Sequence, residues 1–264
     1  MKPNHHLWLL AAFVVLMAAC KKNDNDPGIN GTVVPTVKIK DKYLTQIIQV
    51  ETHPGIAATT NVINYTYDAK KRLIEIKSTD AVTSYTYYDN GDLFSIDKRT
   101  QKIAGSDEYH YRTDAELYYG QDKLQVANTK NYIDGVLQDE DLYNYVYDGD
   151  RVSEVHYGGR YVTVYDYDDN NNVVKEVIRD KIPSVNYYIY DDKKSAFTHS
   201  LFKSPTKIDD RSSPNNVIKT TNIIGDTTTE TTFTYTYDSD GYPISAISGT
   251  ETDGTKFSYK YSTL

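Results

Sequence analysis

The sequence predicts an all-β protein: a curved antiparallel up-and-down meander of hairpin repeats, with the curvature to close into a barrel-like shape. Three observations predict it. A Tyr-x-Tyr unit, usually followed by Asp, recurs along the chain. Apolar and polar residues alternate with period two around that unit, which is the signature of a strand. Short polar segments rich in Gly, Asn and Asp separate the alternating runs. They read as hairpin turns, because Gly accepts the positive φ that such turns need.

The units follow in order. The first is Tyr65-Thr66-Tyr67-Asp68, then the turn Ala69–Arg72 and the apolar run Leu73–Ile76. The second is Tyr85-Thr86-Tyr87-Tyr88-Asp89, with Asn90-Gly91-Asp92 before Leu93–Ile96. Tyr145-Val146-Tyr147-Asp148 leads through Gly149–Arg151 to Val152–Val155. Tyr165-Asp166-Tyr167-Asp168 leads through Asp169–Asn172 to Val173–Val177. Tyr188-Ile189-Tyr190-Asp191 follows, and Tyr235-Thr236-Tyr237-Asp238 leads through Ser239–Gly241 to Tyr242–Ile247. Tyr109-His110-Tyr111 and Tyr259-Lys260-Tyr261 are copies without the Asp. First tyrosines at 65 and 85, and again at 145 and 165, lie twenty residues apart. An Asp at this place is expected to accept backbone N–H groups within its turn.

Alternation sets the faces. Ile63, Tyr65 and Tyr67 point one way, and Val62, Asn64 and Thr66 the other; Phe233, Tyr235 and Tyr237 repeat the pattern against Thr232, Thr234 and Thr236. Side-by-side hairpins would then stack tyrosines into cross-strand ladders. Ala127 to Asp141 is too polar and Gly-interrupted for an amphipathic helix. Phe197 to Thr232 breaks the repeat, with loop signals at Ser204-Pro205 and Ser213-Pro214 and short strand candidates at Val217-Ile218 and Ile223-Ile224. It reads as a diverged hairpin or as a long surface connection, and a long connection is a first place to seek a binding site.

Composition agrees. The chain has 26 tyrosines against 6 phenylalanines. Tyrosine favours strands and brings a hydroxyl that needs a partner when buried. That suits a single curved sheet or barrel better than a thick two-layer core.

The N-terminus carries an address. Lys2 precedes the apolar run Leu7–Ala19, and small residues lead into Cys20, the single cysteine. A run of about thirteen apolar residues is short of the roughly twenty that cross a bilayer. It has instead the layout of an export signal. Met17-Ala18-Ala19-Cys20 resembles the lipobox of bacterial lipoproteins. That resemblance implies cleavage before Cys20 and acylation of its sulfur and new amino group. Lys21-Lys22-Asn23-Asp24-Asn25-Asp26 resembles the lysine-plus-acidic signal that sends Bacteroidetes lipoproteins to the outer face of the outer membrane; its composition equally suits a flexible tether. The expected organisation is a signal over 1–19, lipidated Cys20 and tether over 20–36, and one β-repeat domain over 37–264. Removing 1–19 leaves 245 of the 264 residues, with 28 basic and 37 acidic side chains and a net charge of −9. Such a chain is not expected to bind nucleic acid through bulk charge.

The recurring unit resembles the YD repeat of the RHS family, which also occurs in uncharacterised Bacteroidetes lipoproteins described as porin-like in fold. The resemblance runs from about Asn61 to Tyr261. It implies a strand-turn-strand unit and a curved meander. The many-repeat shell of large RHS proteins and its enclosed toxin do not carry over. The porin-like description implies shape alone, since these strands are too polar for a continuous lipid-facing band.

No catalytic, cofactor or metal signature stands out. His53, His110, His156 and His199 have no metal-ligand spacing, and Gly-x-Ser-x-Gly and phosphate-loop patterns are absent. Asp166–Asn172 offers oxygens as a calcium loop would, but Val177 stands where the bidentate Glu belongs. The expectation is a non-catalytic, surface-exposed outer-membrane lipoprotein, a binding or structural module without cofactors. Its expected contacts are the membrane through the lipid anchor only, and an unknown protein partner or polysaccharide. The alternative is a carbohydrate-binding lipoprotein of a glycan-uptake system, with the motif tyrosines as a ligand face.

Overall fold

The computed structural model describes residues 41–103, 106, 108–159, 161–199 and 212–264. Sixteen strands form one antiparallel meander that closes on itself. They are β1 (Tyr43–His53), β2 (Ile56–Tyr67), β3 (Leu73–Lys77), β4 (Ala81–Tyr87), β5 (Leu93–Lys102), β6 (Tyr109–Gly120), β7 (Lys123–Ile133) and β8 (Val136–Asp148). The chain continues with β9 (Arg151–Tyr157), β10 (Tyr161–Tyr167), β11 (Val173–Arg179), β12 (Ser184–Lys194), β13 (Asn215–Ile224), β14 (Thr227–Tyr237), β15 (Pro243–Gly249) and β16 (Gly254–Ser262). Each strand pairs with its sequence neighbours, and β1 pairs with β16 from Tyr43–Ser262 to Thr52–Gly254. That pairing leaves no free edge, so the liability of unpaired backbone groups is removed. Among the described residues there is no α-helix.

The expected repeats are present, with one agreement and one revision between them. Ala127–Asp141 belongs to the β7–β8 hairpin. Val217-Ile218 and Ile223-Ile224 are not separate short strands but parts of the continuous β13, which pairs with β12 and β14.

The barrel has two unlike ends. At one, here the motif end, the Tyr-x-Tyr units meet their turns. The first tyrosines point inward and form the core: Tyr65, Tyr85, Tyr145 and Tyr165 are all buried, together with Leu44, Leu73, Leu117, Val155 and Val173. Their bodies face small or apolar partners across the strands, as in Tyr85 against Ile96 and Tyr145 against Val155.

The second tyrosine has a different task. Its hydroxyl donates to the backbone carbonyl at the start of the preceding strand: Tyr67 to Leu44 (2.9 Å), Tyr87 to Leu73 (2.6 Å), Tyr147 to Leu124 (2.8 Å). Tyr167 to Val152 (2.8 Å), Tyr190 to Val173 (2.7 Å) and Tyr261 to Pro243 (2.8 Å) repeat the bond. At this end the hairpin turns join β2 to β3, β4 to β5 and so on, while the tyrosines join β1 to β2 and β3 to β4. Turn and hydroxyl therefore alternate around the rim. Tyr237 is the exception. Its hydroxyl donates to Asp191 on β12, where the long connection before β13 replaces a regular turn.

Cations lie over several of these rings. Arg72 sits 4.5 Å from the centre of Tyr87, Lys123 5.2 Å from Tyr147 and Arg151 5.5 Å from Tyr167. Each is the residue just before the carbonyl that its tyrosine binds, so one position supplies both a lid and a bond.

Two outcomes follow from this packing. Tyr167→Phe leaves the Val152 carbonyl without its donor and is expected to cost about 1–2 kcal/mol. Tyr118→Phe, whose exposed hydroxyl reaches only Glu116 on the outer wall, is expected to cost almost nothing. Urea midpoints of the two variants measure the contrast. Burial also pushes the hydroxyls of Tyr119 and Tyr167 up to about 12. A raised folded value means stability that is complete below the unfolded value of about 10 and lost as pH rises towards 12. Unfolding followed by circular dichroism is expected to track tyrosinate absorbance through that window. Ionisation of the full tyrosine complement, beyond the exposed rings such as Tyr111 and Tyr187, while the fold persists would contradict the buried rings.

Candidate functional site

Placement of the motif residues settles what they do locally. Asp68 Oδ1 accepts the backbone N–H groups of Lys70 and Arg72, both at 2.9 Å. Asp168 serves Asn170 (2.9 Å) and Asn172 (2.8 Å), and Asp238 serves Asp240 (2.9 Å) and Tyr242 (3.0 Å). These turns need a left-handed fourth residue, which is Lys71 (φ 64°), Asn171 (φ 67°) or Gly241 (φ 81°). Asp191 accepts from Lys193 and Asn216, so it ties the two ends of the long connection together.

Asp89 and Asp148 correct the expectation that every motif Asp caps its turn. Tyr88 holds the place of the cap in the second unit, with its N–H bonded to the Asp92 carbonyl, and Asp89 is pushed one residue outward. Asp148 pairs directly with Arg151 around a two-residue turn too short for a capping side chain, and stands exposed. The fitting carboxylates feel their surroundings. For Asp68, burial acts upward, but hydrogen bonds from the Arg72 N–H and guanidinium outweigh it and hold the pKa below its ordinary value. Lys42 does the same for Asp238 against a similar burial effect.

The motif tyrosines are therefore structural at Tyr65, Tyr67, Tyr85, Tyr87, Tyr145, Tyr147, Tyr165, Tyr167 and Tyr190. Tyr188 donates to Glu176 (3.0 Å), and Tyr235 stacks on Tyr237 at 6.0 Å. The Asp166–Asn172 segment is a capped hairpin turn, its Asp168 carboxylate spent on backbone and on Asn172 Nδ2 (2.9 Å).

Away from the motif end the inner wall turns polar. Glu176 on β11 is fully buried and accepts from Asn186 Nδ2 (2.6 Å) and from Tyr188. Asn222 on β13 donates in turn to Asn186 Oδ1. Tyr143, Tyr157 and Tyr161 stand beside this ladder, with successive ring centres 5.4 Å apart. Burial raises the pKa of Tyr157, and the carboxylates of Asp180 and Glu176 add to the effect. Opposite Asp166 and Tyr167 of β10, a β-bulge puts an extra residue, Val174, into β11 and shifts the alternation of that strand. That shift hides Glu176 from a simple reading of the sequence.

The four histidines lie apart. His53 meets Asp253 (3.1 Å), His110 meets Asp134 (2.6 Å), His156 meets Glu154 (2.7 Å), and His199 meets the Tyr242 hydroxyl (3.0 Å). Among the described residues no three His, Cys, Asp or Glu side chains gather as a metal site would require. Cys20 and the signal and tether segments lie outside the described residues, as does 200–211 of the long connection.

The outer wall is hydrophilic. Thr66, Glu75 and Ser84 sit side by side across β2–β4. Asp97, Arg99, Arg112 and Asp114 form an ion-pair lattice on β5 and β6, with Arg99–Asp97 at 2.8 Å and Arg112–Asp114 at 2.6 Å. Lys219–Glu230 (2.7 Å) and Lys175–Asp166 (3.3 Å) continue it on the far side. Thr232, Thr234 and Thr236 line β14. Exposed Tyr118, Leu142, Val146, Tyr187, Ile189 and Ile244 are scattered within this surface. Six strands have only five or seven residues, β3 and β4 among them. A lipid-spanning strand needs about nine to eleven.

No protein-family profile matches the chain, and no curated protein matches it. Among solved structures, it is similar to a porin-like protein from Bacteroides uniformis ATCC 8492, determined at 2.32 Å. The identity is 12%, the match covers 83% of this chain and 98% of that one, and the TM-score is 0.48.

Glu176→Ala is expected to destabilise the barrel by about 2–4 kcal/mol, because Asn186 and Tyr188 lose their acceptor inside the wall. Glu176→Gln keeps an acceptor oxygen and is expected to cost about half as much. Thermal and urea unfolding of both variants measures the difference.

Proposed function

We propose that this protein is a lipid-anchored lipoprotein of the outer membrane, facing the cell exterior. Its water-soluble barrel acts as a non-catalytic binding or structural module. The observation that carries the reading is the outer wall, which bears ion pairs and threonines around its circumference. A cation on a lipid-facing barrel wall costs roughly 2–4 kcal/mol at mid-membrane. Arg99, Arg112, Lys175 and Lys219 would each meet that cost. A barrel with this wall stays in water, and the acyl chains on Cys20 hold it at the membrane. The partner class favoured is a protein. The motif tyrosines are mostly buried or bonded to backbone, which takes away the open ring faces that a saccharide platform requires.

The test compares the full-length chain with its Cys20→Ala variant, expressed with an intact export signal. Wild type is expected to stay with the membrane until detergent is added. The variant is expected to appear folded in the soluble fraction. A Cys20→Ala protein that has lost residues 1–19 and still stays in the membrane through alkaline carbonate washing would mean that the barrel itself inserts, and would overturn the reading.

A further inference from the structure

The end of the barrel opposite the motif turns, here the far end, carries exposed apolar fingertips. Ile56 after the β1–β2 turn is 67% exposed, Val136 and Leu137 after the β7–β8 turn are 63% and 48%, and Ile182 between β11 and β12 is 69%. Ile224 at the β13–β14 turn is 45% exposed. The described turns of the motif end contain no Ile, Leu or Val; the nearest exposed ones there are Ile244 and Leu264. Leaving so many branched apolar side chains in water at one rim costs solvation without any return inside the barrel, and marks a contact surface.

The same rim is acidic. At the far end stand Asp80, Glu108, Asp134, Asp180, Asp226, Glu251 and Asp253, against Lys181 in a turn and Lys77, Lys102 and Arg179 at strand ends, so acids outnumber bases among the described residues. Two such rims repel, which disfavours a head-to-head pair of this chain. An anionic lipid surface is disfavoured for the same reason.

The place where the chain enters the barrel points the same way. Tyr43 opens β1 at the motif end and packs on Tyr67 with ring centres 5.5 Å apart. Lys42 is clamped there by Asp238 (2.7 Å) and Asp240 (2.5 Å) in the β14–β15 turn. The segment from Cys20 therefore joins at the end away from the fingertips. The barrel's tilted strands make it about 30 Å tall. The entry point of the chain thus leaves the far rim clear.

We propose that the far rim is a docking surface for a protein partner whose contact face has apolar pockets framed by Lys and Arg. This rests on the module reading above, and gives that module its working end. Ile56, Val136, Ile182 and Ile224 enter the pockets, and the surrounding carboxylates select the basic frame and speed encounter.

A photo-reactive phenylalanine analogue at Val136 or Ile182 of the full-length protein, in the cells that make it, tests the proposal. Both positions are highly exposed, so the barrel tolerates the change. Thr234 on the outer wall and Asp150 at the motif end serve as reference positions. The expected result is one discrete protein adduct from the rim positions alone. Its yield falls about tenfold when Ile56→Asp and Ile224→Asp are added, and severalfold in isolated membranes as salt rises from about 50 to about 500 mM. Adducts of two copies of this chain, adducts to lipid alone, or an adduct indifferent to salt would overturn it. Adducts from Thr234 or Asp150 but not from the rim would overturn the docking surface and leave the module reading standing. Silence at all four positions would overturn both.

Discussion

The barrel depends on one bond repeated around one rim, the tyrosine hydroxyl donated to a backbone carbonyl. An up-and-down meander connects neighbouring strands by a turn at one end only. At the other end of each pair the strands are free to splay, and their first carbonyls face the interior. The second tyrosine of every unit but that of Tyr237 answers both needs. Its ring fills the lumen between two strands, and its hydroxyl satisfies the carbonyl that opens the neighbouring strand. Phenylalanine could fill the same space but would strand that carbonyl in a dry layer, at a cost comparable to a lost hydrogen bond. The preference for tyrosine over phenylalanine follows from geometry.

Much of this was legible in the sequence, because period-two alternation and turn chemistry are local. The six motif units, their strands and most of their caps are where the pattern puts them. What was hidden depends on contacts between strands. The pairing of β1 with β16 joins residues about two hundred positions apart, and nothing within either strand announces it. The hydroxyl bonds span 14 residues in Tyr87–Leu73 but 23 in Tyr67–Leu44. Strand length sets that interval, so no fixed spacing betrays the bond. Tyr88 displaced Asp89 from the cap through a single inserted residue. Glu176 escaped notice because a bulge changes which face an alternating residue occupies.

The candidate site was less legible than the fold. The motif tyrosines, which the sequence offers as core or as a sugar-stacking face, are mostly buried or bonded to backbone in the barrel. The fingertips at the far end are single Ile, Val and Leu residues next to turns. In sequence they look like ordinary strand ends. Only the barrel places Ile56, Val136, Ile182 and Ile224 on one rim, though the hairpins that carry them are up to about 170 residues apart in the chain.

The asymmetry of the two ends has a common origin. At the motif end most alternate strand junctions are closed by a tyrosine, several of them under an Arg or Lys, so the described interior there is rich in rings. Several turns at that end, those of Asp68, Asp168 and Asp238, are fixed by Asp caps that require polar, tightly folded loops. The far end has neither constraint. Its turns are short or irregular, its inner wall changes from rings to the Glu176–Asn186–Asn222 ladder, and its tips are free to carry residues that the fold does not need. Selection for a partner can act at that end without disturbing the bond on which the barrel depends. A repeat that locks one rim by chemistry thereby leaves the other as the place where function can diverge.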